Sequence, residues 1–71
     1  MTVVQSLNLM KEYHWHRLNQ FERNAVDGFI HGIGCADDAP DQEVLDYINE
    51  KQIAWIRTLA KRFSITENTK L

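Results

Sequence analysis

The sequence predicts an all-α fold, an antiparallel helical hairpin, and two observations carry that expectation. Apolar residues recur with helical period over two long stretches, and the three glycines and the single proline crowd into and just before the segment between them. In the first stretch Ser6 can serve as N-cap, with Thr2 as the other candidate. At about 100° per residue, Leu7, Met10, His14, Leu18, Phe21, Ala25 and Phe29 share one side, extended by Trp15, Val26 and Ile33. Arg17, Gln20, Arg23, Asn24 and Asp27 face away. The helix either runs unbroken from Ser6 to Ile33 or breaks near Asp27-Gly28, because an interior glycine costs about 1 kcal/mol relative to alanine. A break there turns two helices into three.

Gly28, Gly32 and Gly34 lead into Cys35-Ala36-Asp37-Asp38-Ala39-Pro40, so the turn is placed at Gly34–Pro40. Asp38 is an N-cap candidate for the second helix, Pro40 fits a first turn where its missing N–H is harmless, and Asp41 and Glu43 complement the helix dipole. The second helix is expected from Asp41 to Phe63, about six turns. Val44, Leu45, Ile48, Trp55, Ile56, Leu59, Ala60 and Phe63 form its apolar side, Ile53 the edge, and Asp46, Glu50, Arg57 and Lys61 the polar side. Residues 1–5 and 66–71 are expected to fray.

With 71 residues the chain is read as a single helical domain with a thin core. Cys35 is the only cysteine, so no disulfide can form within the chain. Both apolar faces are wider than the stripe of about 100° that one neighbour covers. Pairing of two hairpins into a four-helix bundle, a homodimer, is therefore the expected remedy. Leu7, His14, Trp15, Leu18, Phe21, Phe29, Leu45, Ile48, Trp55, Ile56, Leu59 and Phe63 are the candidate core or interface residues. The free thiol and the absence of a signal-like stretch point to the cytoplasm, and no apolar run approaches the roughly 20 residues of a membrane span. Net charge is −2 with dispersed Lys and Arg, which argues against a dedicated nucleic-acid binder.

No residue pattern calls for catalysis, a cofactor or a metal. His14 and His16 are two apart, so on a helix they point in nearly opposite directions and cannot share an ion. His31 and Cys35 have ligand spacing, but a closed zinc site needs four ligands, which would require two subunits. The acidic run beside Cys35 would raise its thiol pKa and blunt it as a nucleophile. Gly28-x-x-x-Gly32 allows close backbone approach, here read as room for a bulky neighbour or an easing into the turn. The expected function is non-enzymatic: a small regulatory or accessory protein acting by binding another protein, still to be identified. The alternative is nucleic-acid binding, with Arg57, Lys61 and Arg62 touching phosphates.

Two resemblances accompany this reading. Leu59-Ala60-Lys61-Arg62-Phe63-Ser64-Ile65-Thr66 resembles the opening of a helix-turn-helix DNA-binding unit, although Thr66 to Leu71 is too short to supply a recognition helix. Ser6-Leu7-Asn8-Leu9-Met10-Lys11-Glu12-Tyr13-His14-Trp15-His16-Arg17-Leu18, in a short acidic helical chain, resembles the small early-region accessory proteins of lambdoid bacteriophages. That resemblance implies a phage-encoded protein that modulates host physiology or the lysis–lysogeny choice, and it assigns no site residues.

Overall fold

Among the described residues, four α-helices and a 3₁₀ turn take the place of two long helices. The computed structural model describes residues 1–34 and 36–65. The expectations for Cys35, for Thr66 and for fraying of 66–71 lie outside them. α1 spans Val3–Tyr13, the 3₁₀ turn Trp15–Arg17, α2 Gln20–Ile33, α3 Asp41–Val44 and α4 Glu50–Lys61. Among the described residues there is no strand, and no helix is long and apolar enough to cross a membrane.

Reciprocal caps decide where the three longer helices begin. Thr2 and Gln5, Asn19 and Glu22, and Asn49 and Gln52 each form a capping box. In each, the first residue's side chain accepts from the backbone N–H three residues on, and the second side chain accepts from the first residue's own N–H. The four bonds of the Asn19 and Asn49 boxes measure 2.8–2.9 Å. Both asparagines are extended, at φ −77°, ψ 174° and φ −94°, ψ 171°, so neither can lie inside a helix.

These caps correct the hairpin expectation. The first long helix does break, but at His14–Asn19; α2 runs without interruption through Gly28. The second breaks at Leu45–Asn49, where turn bonds from Asp46 N to Glu43 O (3.2 Å) and Tyr47 N to Val44 O (2.9 Å) unwind α3. A capping box that satisfies two amides, one through the asparagine and one through the Glu or Gln three residues on, outweighs continued helix at each point, whereas Gly28 offers no competing bond and costs only propensity. Within residues 1–5, α1 already begins at Val3, and Val3 and Val4 are buried in the core. Ser6 is interior to α1 and buried, its hydroxyl donating to Thr2 O at 3.2 Å; Thr2 is the cap.

α1 lies at the centre and packs against both α2 and α4. Its Val3, Leu7 and Met10, spaced four and three apart, are completely buried. Around them gather Leu18, Val26 and Ile33, then Val44, Ile48, Ile56, Leu59, Phe63 and Ile65. The radius of gyration, 10.9 Å, matches the roughly 11 Å of a compact chain of this length. Short helices thus fold over the half-faces that a rigid hairpin would leave open. The breadth of those faces does not by itself require a second copy.

Two left-handed residues end helices. Gly34 (φ 61°) terminates α2, its N–H reaching Ile30 O at 3.2 Å. At the end of α4, Ser64 N donates to Lys61 O (3.0 Å) and Ile65 N to Ala60 O (3.1 Å), the paired bonds of a Schellman turn. Ala60 and Ile65 are both buried beneath it. Its left-handed position is held by Ser64 at φ 62°, where glycine would carry no Cβ penalty.

Ser64→Gly is accordingly expected to raise stability by about 1 kcal/mol, read as a higher denaturant midpoint at unchanged slope. Ile56→Ala, at a fully buried site, is expected to cost about 3 kcal/mol; a loss below 1 kcal/mol would contradict its place in the core.

Candidate interaction surface

α4 carries two arginines that organise opposite ends of the molecule. Arg57 bonds the Asp41 carboxylate and donates to Met1 O at 3.2 Å, while Asp41 Oδ1 accepts the Val3 N–H at 2.9 Å. Arg62 Nη1 lies 2.9 Å from Glu22 Oε2, and Glu22 Oε1 accepts the Asn19 N–H. Each carboxylate therefore satisfies an amide at a helix start and is itself held by a cation from α4. Glu22 is buried, which the pairing and the cap together make tolerable.

These contacts sort the candidate phosphate-binding residues. Arg57, expected on the polar face, has a side chain only 17% exposed and is committed to Asp41 and Met1. It is not presented to solvent as a phosphate contact. Arg62 is more accessible but paired with Glu22, and Lys61 is exposed.

The candidate core or interface residues divide into three groups. Leu7, Leu18, Ile48, Ile56, Leu59 and Phe63 are buried. His14, Trp15, Phe29, Leu45 and Trp55 are half-buried. Phe21 is 71% exposed, the most exposed large apolar side chain described. Its ring meets Trp55 edge-on at 6.2 Å, and Phe29 tilts against Trp55 at 6.1 Å. A row of three aromatic rings thus runs across the seam of α2 and α4 and opens to solvent at Phe21. A single helical phase over residues 6–33 groups Phe21 with the core-or-interface residues. The break at His14–Asn19 resets the phase of everything after it.

On the same side of α2 as Phe21, by phase, lie Ala25, Gly28 and Gly32. A Cβ added at either glycine would meet nothing within 4 Å. Among the described residues the glycines therefore accommodate no neighbour, which corrects the expectation that a bulky residue across the hairpin fills their place.

A second cluster gathers at the end of the bundle where α2 begins and α4 finishes. His14 stacks on Phe63 with centroids 4.7 Å apart and planes 12° from parallel, and the Arg17 guanidinium lies 5.0 Å from the Phe63 centroid. Lys11 and Arg23 each sit 5.9 Å from the Trp15 centroid, and Arg23 Nε donates to Trp15 O at 3.0 Å. His16, Arg17, Lys61 and Arg62 are exposed at this end. At the other end Asp37, Asp38, Glu43, Asp46 and Glu50 are exposed, and the segment 36–50 contains no Lys, Arg or His. Cations thus predominate at one end and carboxylates at the other, with exposed Glu12 and Lys51 as exceptions, although composition shows only near balance.

Other features are local. An open hollow of about 470 Å³ lies between Gly34 and Tyr47, bordered by Asp38 and Glu43. Among the described residues no three His, Cys, Asp or Glu side chains converge as metal ligands. His31 Nδ1 is 2.9 Å from Asp27 O and 3.5 Å from its carboxylate. Compared with family models, curated proteins and solved structures, the chain matches none.

Lys11 Nζ approaches Asp27 Oδ1 at 2.6 Å, and this hydrogen bond holds the Asp27 carboxyl below its ordinary value of 3.8, with His31 contributing less. A depressed carboxyl stabilises the fold above its unfolded pKa and loses that contribution as pH falls through the folded one. An NMR titration should place the Asp27 midpoint below 3.8, and Lys11→Met should bring it upward; an unmoved midpoint would show that the contact does not persist in solution.

Proposed function

We propose that this chain is a small non-enzymatic regulatory or accessory protein that works by docking another protein chain on the aromatic seam of α2 and α4. The observation that carries this reading is Phe21, 71% exposed at the open end of a row with Trp55 and Phe29. Leaving a phenylalanine in water forfeits burial worth about 2 kcal/mol. Aromatic side chains flanked by packed neighbours are the usual anchors of protein interfaces. A cytoplasmic setting fits the free Cys35, and a phage-encoded modulator of its host fits the lambdoid resemblance of residues 6–18.

A photoreactive benzoylphenylalanine at position 21 tests the reading in cells, with the same group at exposed Tyr47 as control. Protein adducts are expected from position 21 and not from position 47. No adduct at 21, or equal labelling at both, sinks the proposal.

The second reading, nucleic-acid binding, is favoured by the cationic end where Arg17 and Arg62 flank Phe63 and Lys61 lies alongside. It calls for Arg17 and drops Arg57. A salt-titrated mobility-shift assay separates the two: loss of binding as salt rises, and on Arg17→Ala, supports nucleic acid, and no shift at low salt removes it.

A further inference from the structure

The aromatic seam is one part of a longer exposed face on α2, and the register of that face points to what covers it. Phe21, Ala25, Gly28 and Gly32 are spaced four, three and four apart, the heptad spacing of a helix–helix seam. Large and small ends are arranged reciprocally. In an antiparallel pair of α2 helices centred between Val26 and Asp27, Phe21 of one chain falls opposite Gly32 of the other, and Ala25 falls opposite Gly28. The same register repeats with the chains exchanged, as a two-fold axis requires. Both glycines face open space, so the ring of Phe21 has room where the register puts it.

Charge supplies an independent argument. Exposed His16 and Arg17 precede α2, and exposed Asp37 and Asp38 follow it. Antiparallel pairing brings the cationic start of one α2 beside the acidic exit of the other, at both ends of the seam. A parallel pair would set like against like. The segregation favours a second copy of this chain over a partner of uniform charge.

We infer that the face Phe21–Ala25–Gly28–Gly32 is a homodimer seam, in which two α2 helices cross antiparallel and each Phe21 packs over the partner copy's Gly32. The inference rests on the docking role of the α2–α4 seam and names its occupant. It differs from a four-helix bundle of paired hairpins, because only α2 and the margin of α4 are shared.

Gly32→Gln separates the dimer from the fold. Glutamine is a better helix former than glycine, and a Cβ at this position meets nothing within 4 Å among the described residues, so the melting temperature of the isolated subunit should hold or rise. In the dimer the same side chain occupies the place of Phe21. Sedimentation equilibrium should show the wild type dimerising reversibly at micromolar to millimolar concentration, more weakly as salt rises. Gly32→Gln and Phe21→Ser should each weaken dimerisation by at least about tenfold, equivalent to 1.4 kcal/mol, with helical circular dichroism retained. A wild type that stays monomeric throughout overturns the inference, as does a dimer indifferent to Gly32→Gln. Photo-adducts from position 21 to other proteins, with no self-association, would overturn the second copy while leaving the docking reading in place.

Discussion

Every helix start must find partners for backbone amides that no preceding turn can satisfy, and the rest of this molecule follows from how that requirement is met. Short helices multiply the problem, since each break adds another set of orphan amides. Here the side chains that meet it are linked to one another. Glu22 caps α2 and holds Arg62; Asp41 accepts an amide at the start of α1 and holds Arg57. α4 thus carries the counter-charges for the starts of both other long helices, and it is fixed at two points along its length. Apolar packing of Leu7, Met10 and Ile56 supplies the bulk of the stabilisation, while the carboxylate–arginine pairs select which arrangement of helices that packing stabilises.

This division explains what was legible beforehand. The all-helical class was readable because periodicity survives within each segment. The turn at Gly34–Pro40 was readable from its breakers. The interior breaks were also written in the chain, as Asn19-x-x-Glu22 and Asn49-x-x-Gln52, but a search for glycine and proline passes over them. Gly28 drew attention for its propensity, yet a residue that only weakens a helix does not end one; a residue that offers amides a better partner does. The burial of Arg57 was not legible. Its partners are Asp41, sixteen residues back, and Met1 at the far end of the chain, and only the assembled topology brings them together.

The surface follows the same logic. One helical phase carried across His14–Asn19 groups Phe21 with the core-or-interface residues, and the 3₁₀ turn resets that phase. Correcting the phase moves the aromatic outward and reveals a neighbouring stripe of small residues. Charge shows a parallel lesson: near balance in composition conceals a cationic end and an acidic end. The compact subunit also changes what self-association would mean. It would then be no remedy for an incomplete core, but a property of one exposed helix face.

The central position of α1 has a consequence for how the fold comes apart. Val3, Leu7 and Met10 are wholly enclosed, and α1 packs against both α2 and α4. Arg57 of α4 also donates to the Met1 carbonyl. Detaching α4 therefore uncovers the apolar face of α1 and releases Met1 in one step. Neither helix keeps its native surroundings without the other, which ties their unfolding into a single cooperative event.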